Sequence, residues 1–256
     1  MVNGLAVVVK RMSWLTSLRK DEFHAKMRRF GALNHNNILT PLAYHCRKEE
    51  KLIVSEYMPK GSLSYVLLGA KDVVRSNLNW PTRLKIIKGI AQGLSFIHKE
   101  FAIYEVPHGN LKSSNVLLSE NYDPLLSDYN FQILANPNHV AQALFAYKSP
   151  EYIQYQQVPS KSDVFCLGII ILEIMTGKVP SQYLSNNDGG IDIMQWVQTL
   201  ISEDCALELI DPEIAKDESS IDSMLQVLEL GASCVESNPD KRLHLNEVVT
   251  RIEEVS

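Results

Sequence analysis

The chain has 256 residues, 45% of them apolar and 21% charged, with a formal net charge of −5. That composition buries a core of ordinary size and excludes wholesale disorder, and the acidic balance argues against nucleic acid as a main partner, because counterion release needs a basic face. The four cysteines, Cys46, Cys166, Cys205 and Cys234, form no C-x-x-C pair, which sets aside a zinc site or a disulfide framework and fits reduced thiols.

In chain order, residues 5–9 are a short β-branched run ending at Lys10, which predicts a strand. Phe23, Met27 and Phe30 fall at i, i+4 and i+7, the period of one helix face. Segments 41–44 and 51–57 predict two strands around a polar turn at 47–50. Pro59-Lys60-Gly61-Ser62 is a breaker cluster, and the boundary between two lobes, 1–58 and 59–256, is placed there. Leu84, Ile87, Ala91 and Leu94 mark a long helix with Pro81 in its first turn. Segments 116–118 and 124–126 suit two small strands. Residues 160–176 form an apolar helix, with Ser160 or Ser162 as its cap and Gly177 ending it. Segments 192–201, 223–235 and 246–255 predict further helices, and 186–190 a polar loop. Strands with one helix first, then mostly helices, is an α+β order. The first residues lack the charged-then-apolar pattern of a signal peptide. The longest apolar run, 164–172, falls far short of the roughly 20 residues that span a bilayer, so no membrane span is expected within the chain.

Chemistry-bearing motifs lie in the second part. His108-Gly109-Asn110-Leu111-Lys112-Ser113-Ser114-Asn115 resembles the catalytic loop H-R-D-L-x-x-x-N of protein kinases, with Gly109-Asn110 replacing the Arg-Asp pair. Ser127-Asp128-Tyr129-Asn130 stands where D-F-G would be, Ser149-Pro150-Glu151 resembles A-P-E, and Ser162-Asp163-Val164-Phe165-Cys166-Leu167-Gly168 and Asn238-Pro239-Asp240-Lys241-Arg242 complete the order. Leu33-x-His35-x-Asn37-Ile38, Glu56-Tyr57-Met58-Pro59-x-Gly61-Ser62-Leu63 and Leu78-Asn79-Trp80 narrow the likeness to plant receptor-like kinases of the leucine-rich-repeat type, similar to pollen receptor-like kinases.

That resemblance implies a bilobal kinase fold on the cytoplasmic side of a plasma-membrane receptor, with ATP and Mg2+ as ligands and proteins of a receptor complex as partners. It implies nucleotide-binding roles for Lys10, Glu56, Met58 and Asn115, and metal ligation by Asn115 and Asp128, hard oxygen donors. Lys112 takes the position that contacts the transferring phosphate, and His108, Glu151, Asp163 and Arg242 the positions that brace the large lobe.

Several transfer groups are altered. Only Gly4 stands upstream of Lys10, so the Gly-rich loop is missing, either because the chain is a fragment or because the loop is lost. Counting back from His35, the helix glutamate that should hold Lys10 falls on Lys26; Glu22 lies one turn earlier and could replace it only through a helix shift, which leaves Lys10 without an acidic mate. Asn110 occupies the base position, and an amide is a very poor proton acceptor. Between Asn130 and Lys148 the only hydroxyl is Tyr147, so the arginine of the catalytic loop and the usual phosphosites are absent together. Ser55, at the hinge entrance, either opens the rear of the adenine pocket or leaves space that another side chain fills. Retained positions concern folding and altered ones concern transfer. The expectation is a catalytically impaired docking module, a pseudokinase, with a weakly active Ser/Thr kinase as the alternative.

Overall fold

A computed structural model describes residues 4–12, 19–48, 50–68, 78–104, 106–130, 149–155, 159–178, 197, 199, 201 and 205–256. The segments 131–148 and 186–190, with Tyr147, lie outside the described residues, as does most of the helix expected at 192–201.

Strands β1 (Val7–Arg11), β2 (Ala43–Cys46) and β3 (Lys51–Glu56) form an antiparallel sheet in the order β1-β3-β2. Its register puts Lys10 opposite Ile53 and Val8 opposite Ser55. Helix α1 (Lys20–Gly31) covers the sheet, burying Phe23, Met27 and Phe30, the residues that the helical period singled out. Phe23 meets Tyr44 of β2 edge to face at 5.8 Å. Strand β2 is displaced by two residues from the expected 41–44, starting at Ala43 and ending at Cys46, directly before a turn closed by backbone hydrogen bonds between Arg47 and Glu50.

The remainder is mostly helical. After the short helix α2 (Leu63–Leu68), helix α3 (Trp80–Glu100) starts with Asn79 as N-cap, its side-chain oxygen accepting from the Thr82 N–H at 3.1 Å, and with Pro81 in the first turn. Strands β4 (Val116–Leu118) and β5 (Pro124–Leu126) pair as a hairpin. Helices α4 (Pro150–Tyr155), α5 (Ser160–Thr176), α6 (Ile221–Cys234) and α7 (Leu245–Glu254) follow. Helix α5 is buried from Ser162 through Thr176, as its apolar composition requires. It ends at Gly177 with φ +64, the left-handed C-cap. Neither serine caps its start, however: the N-cap is Pro159 and no side chain bonds there, because Ser162 turns instead to Glu151.

The sheet layer is tied to the helical layer by backbone pairing. Ile38 bridges Leu126 of β5 in parallel, the Leu39 N–H donates to the Leu126 carbonyl, and the Leu126 N–H donates to the Asn37 carbonyl, both at 2.9 Å. The buried Asn37 amide also donates to the Pro124 carbonyl at 3.0 Å. Arg29, at the end of α1, donates to the Glu100 carbonyl at 2.8 Å and lies over the Phe101 ring. These contacts fix the cleft between the layers. Among the described residues no helix is long and apolar enough to cross a membrane.

Candidate functional site

The cleft has a volume of about 240 Å3 and is walled by Val8, Lys10, Ser55 and Glu56 on the sheet side and by Ser114, Asn115, Leu117, Asp128 and Tyr129 on the helical side. Of the nucleotide-binding residues expected from sequence, Lys10, Glu56 and Asn115 line it. Met58 is buried, and its carbonyl accepts from the Gly61 N–H at 3.0 Å; it does not line the cleft.

Lys10 does have an acidic mate, contrary to expectation. Its ammonium is hydrogen-bonded to the Asp128 carboxylate across the cleft. The charge of Lys26 is met by Glu22, one turn back on α1, which holds its ammonium at 2.6 Å. Glu22 therefore serves Lys26. With a cation at the helix position, Lys10 is paired with the carboxylate across the cleft.

Asp128 is placed by an unusual backbone. Asp128 and Asn130 adopt φ +58 and +55, a region most side chains enter at a cost of about 1–2 kcal/mol. Asn130 offsets this with hydrogen bonds. Its N–H donates to the His108 carbonyl at 2.9 Å, and its amide donates to the Pro107 and Val106 carbonyls at 3.1 and 3.3 Å. The segment 128–130 is thus stapled to the loop 106–110. Lys112 shares the neighbourhood: burial lowers its pKa and the Lys10 charge adds to this, against the pull of Asp128.

Between Asp128 and Asn130, Tyr129 is buried and continues an aromatic column. It meets Phe30 of α1 at 5.7 Å and His108 at 6.2 Å, both edge to face, and its hydroxyl donates to the Leu39 carbonyl at 3.4 Å. Burial raises its pKa, so it stays a neutral donor.

The loop at 108–115 is organised from below. Asp163 of α5, 1% exposed, accepts the His108 and Gly109 N–H groups at 2.7 and 3.0 Å and the His98 Nε2 at 2.7 Å. Gly109 takes φ +74 there. Burial pushes the His108 imidazole down to about 4, although Asp163 and Asp128 pull the other way. It is therefore neutral, and since its Nδ1 accepts from the Asn110 N–H at 3.3 Å, the proton sits on Nε2.

Asn110 is 7% exposed, and its carbonyl accepts from the Asn115 amide at 2.8 Å. Its side-chain Oδ1 is buried without a hydrogen-bond partner among the described residues. An amide at this point can present an oxygen to a hydroxyl, but it cannot take the proton away.

Two buried ion pairs hold the base of the helical layer. Glu151 receives Arg242 through two hydrogen bonds at 2.7 and 3.1 Å, and the Ser162 hydroxyl at 2.8 Å. Sequence reasoning missed the second pair, Arg83 with Asp211 at 2.8 Å, both 1% exposed at the side chain. Its signal was present on one side: Trp80, Arg83, Leu84 and Ile87 share the spacing of the buried face of α3, so an arginine stood among core positions.

The chain matches the family model described as protein tyrosine and serine/threonine kinase over residues 2–252. It is 59% identical over 256 residues to pollen receptor-like kinase 3 and 60% identical over 255 residues to pollen receptor-like kinase 6, both of Arabidopsis thaliana. Each alignment covers 100% of this chain and 40% or 39% of the relative, so the chain spans about two fifths of the length of the curated relatives it matches. Among solved structures it is similar to the pseudokinase domain of BIR2, an immune regulator of the RLK/Pelle family, with a TM-score of 0.86 and 28% identity, covering 100% of this chain and 76% of that one. It is also similar to the kinase domain of maize SIRK1, sucrose-induced receptor kinase 1, bound to AMP-PNP, with a TM-score of 0.81, 28% identity, and coverage of 100% and 87%.

Proposed function

The chain belongs to the protein tyrosine and serine/threonine kinase family as a receptor-like kinase domain, and on that premise we propose that it is a catalytically impaired member, a pseudokinase that serves as a docking module in receptor signalling. The observation that carries this reading is Asn110, an amide where the proton acceptor of the transfer reaction belongs. Loss of a general base typically slows a reaction by about 10²–10⁴, or roughly 3–5 kcal/mol of barrier. The Lys10–Asp128 contact supports it, because the cation meant for nucleotide phosphates and the carboxylate meant for metal are engaged with each other.

ATP with Mg2+ suits the donors of the cleft. Asp128 and the Asn115 side-chain oxygen would hold the metal, Lys10 and Lys112 would face the phosphates, and Glu56 at the hinge would meet the base. Bound there, Mg2+ would neutralise phosphate charge. To admit it, Lys10 must exchange Asp128 for a phosphate. Nucleotide binding and phosphoryl transfer are thus separable, and the proposal is loss of the second. Protein partners at the cytoplasmic face of the plasma membrane complete the reading, on the likeness to pollen receptor-like kinases.

The test uses the full-length protein with labelled ATP, Mg2+ or Mn2+ and a generic protein substrate, beside its Asp128→Ala variant. No transfer above that of the variant is expected. Transfer by the native protein that vanishes with Asp128→Ala defeats the proposal.

A further inference from the structure

A second cavity, of about 300 Å3, opens where the C-terminal end of α3 meets the starts of α5 and α7. Its described lining carries four basic side chains, His98, Lys99, Lys161 and His244, the hydroxyls of Ser95 and Ser160, and no carboxylate. The chain as a whole has 30 acidic against 25 basic residues, so this is a local inversion of sign. A concave wall of one sign focuses its potential on what enters.

Among the described residues, only His98 of the four basic groups meets a carboxylate, the buried Asp163 beneath the cavity wall, and the two ammonium groups carry the local charge. Lys161 directs its ammonium to the carbonyls of Arg242 and Leu243, which anchors the charge and keeps it. His98 Nε2 is fixed by Asp163, leaving Nδ1 as its other polar atom. Helices α5 and α7 also start here, with Pro159 and His244 as N-caps that make no side-chain cap bond; their first turns carry Asp163 and Glu247, which offset the partial positive charge of the helix starts, so the attraction rests on the ammonium groups.

We propose that this cavity binds a phosphomonoester dianion. Such a group carries nearly two charges at neutral pH and three strong acceptor oxygens, which matches two ammonium groups, two imidazoles and two hydroxyls better than a single carboxylate does. The volume lies at the low end of the range for small-molecule sites, about 300–1,000 Å3, and suits a phosphorylated side chain or free phosphate. The site is separate from the cleft at Lys10 and Asp128 and stands whether or not the chain transfers phosphate.

The test is histidine-ring NMR of the full chain at fixed ionic strength. The probes are inorganic phosphate, a capped phosphoserine peptide and its unphosphorylated counterpart. The His98 and His244 signals should move saturably, with a Kd at or below about 1 mM. Tighter binding of the phosphopeptide assigns a protein source, and tighter binding of inorganic phosphate assigns the free ion. The charge reversal Lys99→Glu/His244→Glu should weaken binding at least about tenfold at unchanged melting temperature, while the exposed Lys216→Glu should not change it. If the reversal lowers the melting temperature, the neutral Lys99→Gln/His244→Gln must still weaken binding at least about threefold. Shifts that never saturate, a response equal to that of the unphosphorylated peptide, or unchanged affinity in the folded variants overturn the proposal.

Discussion

Arg242→Met should be among the most destabilising single changes in the chain. In the native fold the guanidinium makes two hydrogen bonds to Glu151 and donates to the Lys161 and Glu236 carbonyls at 2.7 and 3.0 Å. Methionine fills similar space but leaves the Glu151 carboxylate, in a 5% exposed residue, with no cation and only the Ser162 hydroxyl and a backbone hydrogen bond. Breaking a buried ion pair from one side costs about 3–5 kcal/mol, and each orphaned carbonyl adds about 1 kcal/mol. At about 2–4 °C per kcal/mol for a chain of this size, the melting temperature should fall by about 10–28 °C. Glu151→Gln keeps the shape and should cost less. The double change Glu151→Leu/Arg242→Met should cost clearly less than the sum of its parts, because no lone charge is left behind. The pair is also acid-sensitive. Burial alone would raise the Glu151 pKa, but the Arg242 and Ser162 hydrogen bonds outweigh it and hold the carboxyl below its ordinary value of 4.5. Its contribution is therefore complete above 4.5 and lost as the pH falls through the lower folded value. Calorimetry and urea titration of the native protein, Arg242→Met, Glu151→Leu and the double variant complete the cycle. An Arg242→Met effect under about 1 kcal/mol, or strict additivity, would refute the reasoning.

Two further outcomes follow from packing and burial. His108, held near 4 by burial, should remain a neutral Nε2–H imidazole at pH 5 by ring NMR, and stability should decline between 6.5 and 4 by about 3 kcal/mol from this group, since only the unfolded state takes the proton there; protonation in the fold at pH 5.5 would contradict it. Gly168→Ala should cost about 1–3 kcal/mol, because a Cβ there would meet the Cys234 Cβ at 2.6 Å and the Gly231 carbonyl oxygen at 2.9 Å, and α5 would have to move off α6; unchanged thermal unfolding would show that the helices do not need that approach.

Much of the fold was legible because its elements are periodic. The i, i+4, i+7 spacing of Phe23, Met27 and Phe30 carries helix α1 and its buried face together, and Pro81 marks the first turn of α3, whose cap, Asn79, went unread. The motifs also brought His108, Asn110, Asn115 and Asp128 into one loop cluster, because their spacing is tied to the β4–β5 hairpin between them. What sequence could not show were choices among partners. Lys10 had three carboxylates or cations to reckon with, Glu22, Lys26 and Asp128, and only the geometry pairs the first two with each other and sends Lys10 across the cleft. Ser162 could cap a helix or serve Glu151, and the buried carboxylate wins because an unsatisfied charge costs more than an open helix start. Asp211 gave no local signal at all, since its partner Arg83 is far away in sequence. Nor did any motif mark the cavity at Lys99 and His244, which three separate helices assemble.

The most direct test is the pre-steady-state rate of phosphoryl transfer by the full-length protein and its Asn110→Ala variant at saturating ATP and Mg2+. If the amide does no proton chemistry, both rates match the background set by Asp128→Ala. A native rate of about 1–100 s⁻¹, ordinary for a kinase, that Asn110→Ala cuts by about 10²–10⁴ would make Asn110 a working catalytic residue and contradict the reading of this domain as a pseudokinase.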